Sequence, residues 1–400
     1  MSQRQSSTLF FSNVRYLMVM AVVVFHSGRS LESSADWWYV MDQNPAAGID
    51  VLNRILQTFQ LPVLFFIAGY FVLPSLRKKT LRDFWKDKWR RLGYPMIFGA
   101  VLVISILHYA WNFRAHSDTN EIAGMGFLEY WLMVNADFFN LRASVWDNMN
   151  SFSYGHLWYL SFLLCLFLLA GFLWKISGFR TFFSQSRSVS SPKIFLALAL
   201  VLLINTGVPY LLCQFMSEST WYLVIPILEF QPTRSITYIS FFFLGMWASR
   251  HLWFKESSIP GPWIFWVGAS LTCLGIFVWV GENFKPESLT YLLSRASLSL
   301  SLLVTILITA QKFWNQQTFI DKQLAQYSYE IYLGHYVFCL ALQLLLAPWQ
   351  SVPTTVKLLL ISSVTLILSL LVSKFLIQPR PRLTLAMCAL VNIGLMAFTG

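Results

Sequence analysis

Residues 10–27 read FFSNVRYLMVMAVVVFHS, an apolar segment long enough to cross a membrane that nonetheless carries Arg15 and His26. The two lie eleven residues apart. Eleven residues make almost three whole helical turns, so both side chains project from nearly one face, about 16 Å apart along the axis. An ionisable side chain inside a span is costly and turns toward the bundle interior or a wet cavity. The rest of the chain is therefore read as a scaffold for this face, with a cation at one end and an imidazole at the other.

Composition sets the scaffold. Of 400 residues, 56% are hydrophobic and only 12% charged, far from the roughly one quarter charged of a soluble domain. The net charge of +11 does not indicate nucleic acid, because the basic residues gather in short stretches between apolar segments, as the positive-inside rule requires. Pro74–Gly93 holds eight Lys or Arg, which reads as a cytoplasmic loop and places the amino terminus on the same side. Cys165, Cys213, Cys273, Cys339 and Cys388 lie in or beside apolar segments without CxxC spacing, which suits small core residues rather than a disulfide framework or a metal site. With Arg15 inside it and no small-residue cleavage site, the first segment reads as a retained span.

The resulting fold class is all-α, a polytopic transmembrane helix bundle of about ten spans. Residues 1–382 form the membrane domain, and residues 383–400 a hydrophobic tail or an eleventh span. In the second span, LPVLFFIAGYF, Pro62 and Gly69 indicate a bend or a close helix contact. Trp37, Trp38 and Tyr39 read as an interfacial anchor, FLEYWLMV as an amphipathic or re-entrant piece, and WYLVIPILEF around Pro226 as a run dipping into the membrane. Span six is placed at about Ile236–Ala248.

No HExxH, GxSxG, Walker or Rossmann pattern appears in its required context, so the candidates are single residues. His108, His116 and His251 sit at span ends or in loops and read as interfacial or solvated groups. His156 caps span four beside Trp158, where orienting a loop and contacting substrate are equally suited roles. His335 lies deep in span nine, about one turn beyond Glu330, too deep for a surface group. Lys88, Arg90 and Arg91 could be topology signals alone, but Arg15 adds a cation that topology does not need. A mouth lined by Arg and Lys suits a phosphorylated ligand, whose far end would reach His26. A histidine titrating near neutrality suits a base for a hydroxyl proton, though transient acylation of the imidazole is an alternative. A transporter or flippase, with Arg15, Glu330 and His335 along a substrate path, is the rival reading. Such proteins often show inverted repeats, and none is visible here.

Arg15 and His26, then FFIAGYF, KWRRLGYP, GHLWYL and SYEIYLGH, in this order and at this spacing, resemble the membrane-bound acyltransferase-3 family over about Phe11 to Ile377. The resemblance implies acyl transfer from cytoplasmic acyl-coenzyme A, with no permanently bound cofactor, to a hydroxyl of an extracytoplasmic carbohydrate at a multi-pass inner membrane. It implies Arg15 and His26 as the essential pair; on the chemistry of the residues alone, His335, a further catalytic candidate, and His156 suit orienting the acceptor or stabilising the developing oxyanion. Arg15, Lys88, Arg90 and Arg91 would bind the donor, and His156, Trp158 and Glu330 would meet substrate. Two positions depart from the pattern: Ser12 stands where an acidic residue is common, and Lys88 where the first arginine of an RxxR element is usual. The WWYV loop and the LPVLFFIAGYF form look most like the branch that adds succinyl groups to periplasmic glucans.

Overall fold

A computed structural model of the chain describes residues 8–35, 38–115, 125–140, 144–146, 152–224, 228–254 and 261–399. His116, Trp37 and Pro226 lie outside them. The first helix, α1 (Leu9–Gly28), covers the opening stretch. Next come α2 (Ala47–Lys78), α3 (Leu81–Lys88), α4 (Tyr94–Gly99) and α5 (Ser105–Ala115). The short α6 (Phe127–Phe139) precedes α7 (Trp158–Leu173), α8 (Ser177–Ser184) and α9 (Ser191–Leu212). Then follow α10 (Pro232–Arg250), α11 (Trp263–Asn283), α12 (Leu289–Phe313), α13 (Phe319–Leu346), α14 (Thr354–Val372) and α15 (Pro381–Thr399). Among the described residues, ten helices are long and apolar enough to cross a membrane, the tail helix α15 included. The protein is a multi-pass helical membrane protein.

Two expectations are corrected. The basic stretch Pro74–Gly93 is not a loop: after a break at Lys79–Thr80 it is helical, and π turns at Trp89–Gly93 and Ala100–Ile104 join α3, α4 and α5 end to end. Lys and Arg are good helix formers, so a high density of charge does not break the backbone. WYLVIPILEF does not dip as a helix. It supplies β2 (Trp221–Val224) and β3 (Leu228–Phe230), antiparallel to each other, and β2 also pairs with β1 (Ser144–Trp146). Its aromatic and β-branched residues fit a pleated surface. The expected sixth span is present as the helix α10, which is more polar than the ten at its start, where it carries Thr233, Arg234 and Ser235.

That helix is nevertheless packed more extensively than any other pair partner, against α2. Gly69 and Gly245 make this approach possible, as each faces the opposite backbone carbonyl, of Phe242 and Phe66 respectively. The expected close helix contact at Gly69 is thus present. Above it Phe65 stacks on Tyr238 with ring centroids 4.9 Å apart.

Polar ties fix α1 against α13. Arg15 donates to the Ala325 carbonyl at 2.9 Å, Tyr16 donates to Asp321, and Gln343 Nε2 donates to the carbonyl of His26 at 2.8 Å. Asn13 donates to the carbonyls of Trp314 and Gln316, which holds the start of α1 on the connection into α13. Thr318 and Asp321 cap that connection reciprocally. In hydrocarbon an unpaired polar group is expensive, so these bonds set both the rotation and the height of α1. With the His26 ring 5.3 Å from that of His335, Arg15 and His26 both face α13.

Candidate functional site

At the His26 end of α1 the helices part around a cavity of about 500 Å3, within the size range of ligand sites. His26, His156 and His108 line it, with Trp38, Tyr39 and Tyr336. Trp158, Trp221 and Tyr238 wall another side. Trp38 stacks over His26 at 5.8 Å and Tyr336 under His156 at 4.4 Å. Flat rings of this kind offer an apolar surface, and Asn53, Gln57, Gln60 and Gln231 add polar groups to the wall.

His26, His156 and His335 come from α1, the turn before α7, and α13. Their ring centroids are 5.3 Å (His26 to His335), 5.1 Å (His156 to His335) and 6.4 Å (His26 to His156) apart. His335 Nδ1 lies 2.7 Å from the Tyr332 carbonyl. A carbonyl only accepts, so Nδ1 carries the proton and Nε2 keeps its lone pair. That Nε2 is buried and makes no hydrogen bond to a described residue, and the same holds for His26 Nδ1. Neither ring nitrogen of His156 makes a well-formed bond, although the carbonyls of Tyr332 and Leu333 are near. Buried polar atoms are normally satisfied, so a concentration of unsatisfied nitrogens in one place singles it out as the candidate site. Among the described residues, no group of three or more His, Cys, Asp or Glu is arranged to hold a metal ion.

The sequence-level candidates divide between two ends. His26 and His156 reach the cavity wall with Trp158, whereas His335 is 0% exposed and sits one layer behind them. Glu330 does not join the cavity: it lies at the Arg15 end, within electrostatic reach of Arg15 and Arg91. Arg15, Arg90 and Arg91 are exposed there. Lys88 differs, since its ammonium lies over the Phe167 ring at 3.9 Å and turns into the bundle. Tyr329 donates to the Arg91 carbonyl and ties α13 to the π turn.

Some site residues were not anticipated. Trp38 and Tyr39 serve the cavity rather than an interface, and His108 is buried on its wall rather than solvated. His251 is also buried, with Nδ1 3.0 Å from the Arg187 carbonyl. Glu229 was overlooked, though an acid within the apolar run WYLVIPILEF was a signal. It accepts the Tyr154 N–H at 2.6 Å and the Ser153 hydroxyl at 2.9 Å, and that hydroxyl accepts the Gly155 N–H at 2.9 Å. With Gly155 at φ +52°, where only glycine is unstrained, these bonds shape the turn that presents His156.

Burial pushes the Glu229 carboxyl up to about 7, against the opposing pull of its two donors. The fold thus favours its neutral form. This contribution is intact below the ordinary value of 4.5 and is lost as pH rises through about 7. The loss is on the order of 3 kcal/mol. Glu229→Gln should flatten the fall in melting temperature between roughly pH 5 and 7 that the wild type shows. Parallel melting curves for the two proteins across that window would refute the assignment.

The family described as "Acyltransferase domain" matches residues 9–374. Among curated proteins, the chain is similar to Glucans biosynthesis protein C of Escherichia coli O6:K15:H31 (strain 536 / UPEC), 23% identical over 249 residues, which are 59% of this chain and 56% of that protein. Glucans biosynthesis protein C of Salmonella heidelberg (strain SL476) is 23% identical over 247 residues, 60% of this chain and 58% of the relative. The chain thus spans a little over half the length of these relatives. No solved structure matches.

Proposed function

The chain belongs to the acyltransferase-3 family, and on that premise we propose that it moves an acyl group of acetyl or succinyl size from acyl-coenzyme A to a carbohydrate hydroxyl in the His26 cavity. In this reading the Arg15 end faces the cytoplasm of a plasma (inner) membrane, and the cavity opens on the other side. The observation that carries it is the meeting of His26, His156 and His335 beside a large aromatic-walled cavity, with exposed arginines at the far end of the same helix.

Arg15, Arg90 and Arg91 hold the donor phosphates by charge and paired N–H donors. Lys88, turned onto Phe167, contributes to packing instead. An extended donor of about 16 Å brings its thioester from Arg15 to His26. The acceptor hydroxyl attacks the thioester carbonyl carbon while a ring nitrogen of His26 takes its proton. Collapse of the tetrahedral intermediate re-forms the carbonyl as an ester and breaks the C–S bond. The thiolate leaves and recovers the proton from the imidazolium. His156, beside the same carbonyl, donates to the developing oxyanion when its ring is protonated on the cavity side. His335 holds the other two rings from behind.

Purified protein in proteoliposomes, supplied with isotope-labelled acyl-coenzyme A outside and an oligosaccharide inside, should yield the labelled ester on the enclosed sugar. The reading is wrong if folded protein neither binds coenzyme A nor cleaves the thioester.

A further inference from the structure

A smaller pocket of about 30 Å3 adjoins the main cavity. Arg54, Gln57, Arg234 and Tyr238 line both, so these four side chains stand at the boundary between the two. Four helices meet there: α2 with Arg54, α9 with Asn205, α10 with Arg234, and α12 with Arg295 and Ser299.

The charges do not balance. Three guanidinium groups share the pocket, and burying even one is expensive without a counter-charge. Glu218, buried beside them, takes two. It accepts from Arg234 Nε at 2.9 Å and from Arg295 Nη1 at 2.5 Å, and these arginines hold its carboxyl down at about 2, so it is ionised. Arg54 pairs with Glu282 at the rim, where that carboxylate is 58% exposed and solvent weakens the pairing. Even with both acids counted, one positive charge is in surplus.

The donors do not balance either. Arg234 is spent, its Nη1 bonding Gln57 at 2.6 Å while Nε and Nη2 meet Glu218. Arg295 uses Nη1 only: its Nη2 is buried and has no hydrogen-bond partner among the described residues. Four residues further along the same face of α12, Ser299 is 2% exposed and its hydroxyl is likewise unpartnered. Two other serines of α12 satisfy themselves: Ser294 and Ser301 donate to the carbonyls three residues before them. Ser299 does not, although it had the same option.

We propose that this side pocket is a subsite for a carboxylate carried by one of the two substrates, with Arg295 Nη2 and the Ser299 hydroxyl as its donors and Arg54 as the charge at its mouth. Room for a small group, two free donors and one surplus charge fit a carboxylate. A phosphate carries up to twice the charge and has more oxygens to satisfy. The proposal rests on the acyl-transfer reading and narrows it. The carboxylate belongs either to the acyl group, as in the monothioester of a dicarboxylic acid, or to an acidic sugar of the acceptor. In both cases the bound anion places the reacting end in the main cavity with His26.

Arg295→Gln, which can still bond Glu218 through its amide, and Ser299→Ala, which leaves every ion pair in place, are compared with the wild type in two arms. One arm sets succinyl-coenzyme A against acetyl-coenzyme A with a neutral acceptor. The other sets a uronate-bearing oligosaccharide against its neutral analogue with one donor. The wild type should favour the carboxylate-bearing partner in one arm. Arg295→Gln should reduce that kcat/KM ratio about tenfold or more, and Ser299→Ala about threefold. The arm that changes identifies the source. Binding of succinate against acetate, measured on the same proteins without turnover, gives an independent readout. If no thioester is ever consumed, the acyl-transfer reading fails, and this binding comparison alone decides the subsite. Unchanged ratios and unchanged succinate binding in stably folded variants overturn the proposal, as would a wild type indifferent to the carboxylate; the pocket would then hold only water. Should Arg295→Gln fail to fold, Ser299→Ala alone decides between these outcomes.

Discussion

His26→Ala should lower acyl transfer by about 10²- to 10⁴-fold while leaving membrane insertion and melting close to wild type. The two halves of that expectation have separate grounds. His26 is half-buried at the edge of an open cavity, and its side chain makes no hydrogen bond that holds α1 in place; the tie there runs from Gln343 to the His26 carbonyl, which alanine retains. Truncation therefore removes little packing. For the chemistry, His156 is the only other imidazole of the trio on the cavity wall, and its ring is stacked against Tyr336. His156→Ala should cost transfer less than His26→Ala. His335→Ala also leaves a hole in the core, so it should lower stability as well as rate. If the three rings work as a unit, His26→Ala with His335→Ala should transfer no more slowly than His26→Ala alone. Transfer within tenfold of wild type in the His26→Ala protein would move the proton acceptor elsewhere.

What the sequence disclosed about this site was local. Arg15 and His26 share a helix, so helical periodicity was enough to put them on one face and about 16 Å apart. Their common neighbour, α13, could not be known, because it begins some three hundred residues later. The same distance in sequence hid the convergence of His26, His156 and His335: each had looked like a separate case. Trp38 and Tyr39 were misplaced for another reason. Aromatic residues beside a polar loop have the same composition whether they mark an interface or cover a cavity, and only the stacking of Trp38 on His26 distinguishes the two. Glu330 was drawn toward His335 by proximity along the helix, yet five residues shift a side chain by about 7.5 Å along the axis and rotate it by about 140°, enough to bring Glu330 within reach of Arg15 and Arg91 instead. The short apolar run around Pro226 was read as dipping into the membrane, because such a run does not by itself distinguish a strand from a buried segment; its pairing with β1 is decided by a strand far away in sequence.

Gly69→Val should prevent the protein from accumulating in the membrane in folded form, a loss of at least about 3 kcal/mol. A Cβ at position 69 would be driven into the Phe242 carbonyl oxygen, and one at Gly245 into that of Phe66. These contacts pair 69 with 242 and 66 with 245, so the residue numbers sum to a constant, as they must where two helices cross antiparallel. The crossing is backbone against backbone. No flexible side chain is available to yield, so the helices must separate, and separation pulls Phe65 from Tyr238 and opens the core on both sides. It would also displace the site, since α2 carries Arg54 and Gln57 and α10 carries Arg234 and Tyr238 into the cavities. Gly69→Ala, the smallest probe, should survive with a lowered melting temperature and a disproportionate loss of transfer, because a small shift of two helices moves four site residues together. Size-exclusion profiles and melting curves of detergent-extracted protein measure both. A Gly69→Val protein that is monodisperse and melts with the wild type would mean that α2 and α10 do not cross at these glycines, and the cavity walls built on that crossing would have to be redrawn.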